Sequence, residues 1–377
     1  MIYLDAAATS LIKPPRVARE MLHALQCCAS PGRGGHPPAM RAAETVYRAR
    51  ETAARLFHVP EPERVVFTQN ATHALNLAIS SLAKPGTRTL LSGYEHNSVT
   101  RPLHRIGAEL CVAASPLFDR KAALRAFAEK LDGAELVVCT QVSNVFGFVL
   151  PIAELAALCR ERGVPLIVDA SQAAGVLDVD FSAWGAAFVA MPGHKGLLGP
   201  QGTGILLCGR EGEPLLSGGS GSDSISQTMP DYLPDRLEAG THNVPGIAGL
   251  CAGMEYVLER GTESIAAHER ALLQILREGL SGIEGLELFA GEEQIGALSF
   301  RVRGHDCDEL AQALAEQGVC VRSGLHCAPL AHRTAGTLET GTLRASVSPF
   351  TREAEIEAAC AILQKLCRDG KLSHGGA

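Results

Sequence analysis

Between residues 64 and 208, short runs of β-branched and other apolar residues alternate with stretches of helical periodicity, and no other feature of the chain restricts its fold as much. This rhythm predicts an α/β layer, a mostly parallel sheet covered by helices on both faces. Strands are expected at 64–68, 89–91, 109–112, 135–140 and 165–169. Asn70 and Thr72 offer caps to a helix over 72–83, and Ile152, Leu155, Ala156, Leu158 and Cys159 recur at helical spacing before Gly163 stops the run. From about residue 256 a helical stretch through Leu272, Leu273 and Leu276 gives way to a β-like run at 297–302, with a last helix over 353–366. At roughly 150 residues per domain, 377 residues suggest two. A large domain is expected over 16–255, and a smaller α+β domain over 1–15 and 256–377. The Gly/Ser run at 217–222 is too short to link independent modules and reads as a functional loop.

Composition then narrows the function. A net charge of −7 argues against the broad basic face that a nucleic acid or an anionic membrane requires, so a small-molecule partner is expected. There is no stretch of 18 apolar residues, and the start Met1-Ile2-Tyr3-Leu4-Asp5 lacks the basic and apolar regions of a signal peptide, which predicts a cytoplasmic protein. Twelve cysteines without paired zinc-type spacing read as reduced thiols. Cys27, Cys28, Cys111, Cys139, Cys159, Cys208, Cys251 and Cys360 fall in apolar segments and are expected to pack as small hydrophobes. His305, Cys307, His326 and Cys327 have no recognised ligand spacing, so no metal site is expected.

Lys195 lies in Met191-Pro192-Gly193-His194-Lys195-Gly196, directly after an apolar run, where small neighbours can desolvate its amine and free it for Schiff-base chemistry. A solvated lysine in a glycine-rich turn is the plainer alternative. Upstream, Asp169 ends a predicted buried strand, the place where α/β sheets hold ligands. A pyridoxal phosphate enzyme places such a carboxylate against the protonated pyridine nitrogen, keeping the ring an electron sink. Asn70-Ala71-Thr72 at a helix start offers backbone amides and a hydroxyl to an anion such as the cofactor phosphate, and also reads as an ordinary cap.

These residues belong to an ordered series that covers nearly the whole chain. The series runs through Tyr3-Leu4-Asp5-Ala6-Ala7-Ala8-Thr9, Gly32-Arg33-Gly34-Gly35-His36, Asn70-Ala71-Thr72, Glu95-His96-Asn97-Ser98 and Val142-Ser143-Asn144-Val145-Phe146-Gly147. It continues through Asp169-Ala170-Ser171-Gln172, Gly193-His194-Lys195, Glu238-Ala239-Gly240-Thr241-His242-Asn243, Arg322-Ser323-Gly324-Leu325-His326-Cys327 and Leu343-Arg344-Ala345-Ser346. In this series the chain resembles the cysteine desulfurases, class V aminotransferases of fold-type I, in the subgroup with a short cysteine loop. The resemblance implies a large pyridoxal phosphate domain, a small domain carrying the cysteine loop, and a homodimer with a shared active site.

The same resemblance implies Lys195 as the Schiff-base lysine, Asp169 on the pyridine nitrogen, Gln172 on the ring hydroxyl, and His96 stacked on the ring as a proton shuttle with a pKa near neutrality. It places Ala71, Thr72 and His194 on the phosphate, together with Thr241 from the other subunit. Asn144 and Arg344 are expected on the substrate carboxylate, with Arg322 and His36 also in the substrate site. Pro192 departs from the pattern, since relatives carry a hydroxyl there that binds the phosphate and proline has no donor.

Cys327 is the expected nucleophile, and the neighbouring Arg322 and His326 are expected to favour its thiolate. The implied reaction converts L-cysteine to L-alanine and leaves a persulfide on Cys327 for an acceptor protein. Selenocysteine lyase, cysteine lyase, epimerase and aminotransferase activities are the alternatives on the same scaffold. A non-catalytic sulfur-relay protein rests on Pro192 alone.

Overall fold

A computed structural model describes residues 1–32, 34–222 and 224–368. Arg33 of the Gly32–His36 motif and the last residues of the expected small domain lie outside the described residues. The strands are β1 (Ile2–Tyr3), β2 (Val65–Thr68), β3 (Arg88–Ser92), β4 (Glu109–Ala113), β5 (Leu136–Thr140) and β6 (Leu166–Asp169). They continue as β7 (Phe188–Pro192), β8 (Gly204–Cys208), β9 (Leu286–Phe289), β10 (Ala297–Val302), β11 (Val319–Cys320) and β12 (Leu343–Ser346).

Seven strands form one sheet in the order β2-β8-β7-β6-β5-β3-β4. Only β8 runs against its neighbours, pairing antiparallel with both β2 and β7. The sheet alternates strictly across its plane. Leu136 and Val138 of β5 join Ile167, Phe188 and Leu206 in one apolar cluster, whereas Val137 and Cys139 join Val168, Val189 and Ile205 in another. Both faces are thus covered, as a parallel sheet requires. One cover comes from the helices Ala71–Leu82 and Asn97–Ile106, and the other includes Pro37–Leu56, Ile152–Glu161 and Val244–Arg260.

The helical stretch expected from residue 256 is two helices, Val244–Arg260 and Thr262–Leu280, broken at Gly261 with φ 80°. A third apolar cluster lies between Thr262–Leu280, the final helix Glu353–Arg368 and a three-stranded antiparallel sheet of order β12-β10-β9. The amino terminus joins this part of the molecule through parallel pairing of β1 with β11 and a bridge from Asp5 to Ser346.

All twelve cysteines are free thiols. Cys139, Cys159, Cys208, Cys251 and Cys360 are buried, as is Cys307. Cys27, Cys28 and Cys111 are half-buried, because they sit at a helix end and on the outer strand β4, where one side of the chain meets solvent, and Cys28 and Cys111 still pack against the main apolar cluster. Among the described residues no helix is long and apolar enough to cross a membrane.

Candidate active site

The C-terminal ends of the parallel strands converge on a cavity of about 230 Å³. Thr140 arrives from β5, Asp169 from β6 and Pro192 from β7, while β3 leads to His96 and β2 leads to Asn70. Lys195, Ala71, Thr72, Gln172, His194, Asn144, Arg322, Cys327 and Arg344 line the same cavity. Two residues expected in the site do not. Thr241 is exposed and lines a separate groove with Glu238 and His242, while His36 is exposed and caps the helix Pro37–Leu56 through Ala39 N.

The lysine loop is positioned by backbone contact. A Cβ on Gly196 would lie 2.4 Å from the Ala174 carbonyl oxygen, and one on Gly193 would lie 2.1 Å from Thr203 Oγ1, so glycine is the residue that lets this loop rest on the turn after β6. Lys195 and the β6 carboxylate are thereby held in one cavity. Desolvation pulls the Lys195 amine down to about 8, against the opposing attraction of Asp169. Asp169 is 2% exposed and accepts from Ser171 N at 2.9 Å.

His96 caps the helix Asn97–Ile106, its Nδ1 accepting from Ser98 N at 3.0 Å. Burial pulls this imidazole down to about 4, correcting the expected value near neutrality. The ring is therefore neutral at pH 7, and with Nδ1 accepting a backbone proton its own proton sits on Nε2. His194 is likewise pulled down to about 4 by burial, and its Nδ1 lies 3.0 Å from Thr9 Oγ1. Gln172 Nε2 donates to the Ala7 carbonyl at 3.0 Å.

Arg344 is 1% exposed on β12. Its Nη1 donates to the Asn144 carbonyl and its Nη2 to Asp5 Oδ1, both at 2.8 Å, while Nε is buried without a partner. Such a donor at a cavity wall is suited to an acceptor that arrives from outside.

Cys327 is exposed, at the rim, in an unusual backbone. His326 and Cys327 have φ values of 49° and 57°, two consecutive side-chain-bearing residues in the left-handed region, where L residues are strained. Their carbonyls are clamped: His326 O accepts from Asn144 Nδ2 and Cys327 O from Asn97 N, each at 2.8 Å. The expectation that His326 favours the thiolate is corrected. Its ring is buried beside His332, and burial pulls it down to about 2, so it carries no charge to offer. Arg322 lines the cavity as the remaining neighbouring cation.

The aminotransferase class-V family model matches residues 2–359. A probable cysteine desulfurase of Methanothermobacter thermautotrophicus is 33% identical, over 98% of this chain and 95% of its own length. The chain belongs to the cysteine desulfurase family of class-V aminotransferases. Another member, the cysteine desulfurase of Yersinia pestis, is 30% identical over 97% of this chain and 93% of its own. Among solved structures, the apo cysteine desulfurase from Thermococcus onnurineus superposes with a TM-score of 0.89 at 30% identity, covering 98% of this chain and 95% of that one. The S-sulfonic acid form of a cysteine desulfurase from Escherichia coli gives 0.86 at 26% identity, covering 99% and 95%.

Reading the sequence for chemistry left several cavity-lining residues of this family member without a role. Ala7 and Ala8, Ser98, Thr140 and Ser171 all line the cavity, and Asp5 reaches it through Arg344. The signal for Asp5, Ala7 and Ala8 was the Tyr3-to-Thr9 motif, and that for Ser98 was the Glu95-to-Ser98 motif.

Proposed function

We propose that this protein is a pyridoxal phosphate-dependent cysteine desulfurase that converts L-cysteine to L-alanine and holds the removed sulfur as a persulfide on Cys327 for an acceptor protein. The single observation that carries the reading is an exposed thiol, Cys327, at the rim of a cavity containing Lys195, Asp169 and Arg344.

The donor set suits the cofactor. A desolvated amine faces a buried carboxylate, a helix N-terminus offers unpaired amides at Ala71 and Thr72, and neutral imidazoles line the wall. Lys195 would take the aldehyde, Asp169 the pyridine nitrogen, Gln172 the ring hydroxyl, His96 the ring face, and Ala71, Thr72 and His194 the phosphate. When bound, pyridoxal phosphate supplies an aldehyde for the substrate amine and a ring that accepts the electron pair left at the substrate Cα.

The protein side of the reaction follows from the atoms present. Arg344 binds the substrate carboxylate through its unpartnered Nε, with Arg322 adding positive charge and Asn144 holding the loop. Lys195 Nζ, lowered by desolvation to about 8, can exchange a proton near neutral pH and is the base placed to remove the Cα proton. The Cys327 thiolate attacks the substrate sulfur; an S–S bond forms, the Cβ–S bond breaks, and its electron pair remains with the carbon fragment. Lys195, carrying the proton it took from Cα, can return a proton to that fragment, and the neutral His96 offers its Nε2–H as a hydrogen-bond donor beside it. One L-cysteine and one enzyme thiol thus become one L-alanine and one enzyme persulfide, with no external oxidant.

Thr241 and His36, both outside the cavity, suit a homodimer in which each copy completes its partner's site. We assign residues 16–255 to the large domain, 1–15 and 256–377 to the small one, and the protein to the cytoplasm. The test is product analysis. Purified protein should form L-alanine from L-cysteine, and borohydride should fix a pyridoxyl group on Lys195; absence of both would overturn the reading. Competition between L-cysteine and L-selenocysteine separates a desulfurase from a selenium specialist.

A further inference from the structure

Pro192 ends β7 on the cavity wall and brings neither an N–H nor a hydroxyl to it. The assigned phosphate donors are correspondingly few. Thr72 has one hydroxyl, and His194 is neutral with its Nδ1 already 3.0 Å from Thr9 Oγ1. A phosphate carries three strongly accepting oxygens and favours hydroxyl and amide donors where helix dipoles converge.

Two helix N-termini meet on this wall, those of Ala71–Leu82 and Asn97–Ile106, capped by Asn70 and His96. The contact between them is a pair of hydroxyls, with Ser98 Oγ 2.8 Å from Thr72 Oγ1. Ser98 Oγ also lies 3.0 Å from His96 Nδ1, but that nitrogen already accepts the Ser98 amide, so the hydroxyl proton is free to turn elsewhere.

We propose that Ser98 is a phosphate-binding residue for the cofactor, supplying from the second helix N-terminus a hydroxyl donor on a wall where Pro192 has none. The assignment rests on the reading that the cavity holds pyridoxal phosphate. It predicts that Ser98 serves the phosphate alone and leaves the aldehyde and ring contacts untouched.

Pyridoxal, which lacks the phosphate, separates these contributions. Apo-protein stripped of cofactor is titrated with pyridoxal phosphate and with pyridoxal, following the absorbance of the bound aldehyde. Ser98→Ala should raise the dissociation constant for pyridoxal phosphate about tenfold, the loss expected for one hydrogen bond to a charged group, and leave that for pyridoxal within about twofold. Ser98→Thr should bind both as the wild type does. Ser98→Cys, which keeps the volume and weakens the donor, should show the same phosphate-only loss in smaller degree. Unchanged pyridoxal phosphate affinity in Ser98→Ala and Ser98→Cys would overturn the proposal, as would equal weakening of both aldehydes. If the wild type took up neither aldehyde, the underlying cofactor reading would fall first.

Discussion

Glu95 stands one residue before His96 and is fully buried in the turn that follows β3. Its Oε1 accepts from Ser92 Oγ and from Thr140 N, while Oε2 has no partner. Burial pushes this carboxyl from its ordinary 4.5 up to about 8, outweighing those two hydrogen bonds, so the folded protein holds it protonated at neutral pH. The unfolded chain ionises it much earlier. Its contribution to stability is therefore complete below about pH 4.5 and is lost as pH rises to about 8. Glu95→Gln keeps the acceptor and removes the ionisation. The variant should unfold at the wild-type temperature near pH 4.5 and at a higher temperature than wild type near pH 9. Thermal unfolding at the two pH values checks this, and identical curves at both would contradict it.

Among the structural elements, the segment that carries Thr241 is pinned by a buried ion network. Glu238 accepts both Arg50 Nη atoms, Phe67 N at 2.6 Å and His242 Nε2 at 2.6 Å, with the Glu238 and Arg50 side chains only 4% and 7% exposed. The network ties the helix Pro37–Leu56 and β2 to residues 238–242. Burial alone would push the carboxyl up, but Arg50 and His242 outweigh it and bring it down to about 2. This contribution is present above about pH 4.5 and fades as pH falls toward 2. Removing one partner of a buried pair leaves the other charge uncompensated, at a cost of about 3–5 kcal/mol. Glu238→Gln should lose stability of that order at pH 7 by denaturant unfolding; a change under about 0.5 kcal/mol, the range of a surface substitution, would contradict the argument.

For the molecule as a whole, the α/β layer was legible because β2 to β6 are apolar runs separated by helices whose caps, Asn70 above all, are written in the sequence. The lone reversed strand β8 was not, since strand direction depends on which edges pair rather than on local pattern. Lys195, Asp169 and Cys327 stood out by their neighbours in the chain. Asp5 did not, because its partner Arg344 lies at the other end of the sequence and only the pairing of β1 with β11 and the bridge to Ser346 bring them together. The charge state of His326 was misread for the same reason, its burial being set by His332, Thr342 and Arg344 rather than by adjacent residues.

The destination of the substrate sulfur is decisive. Mass analysis of the Cys327 peptide after one turnover with L-cysteine should show one added sulfur atom, matched by one L-alanine per site, with both absent in Cys327→Ala. Undiminished alanine formation in that variant, or sulfur recovered on a different cysteine of the wild-type protein, would contradict it.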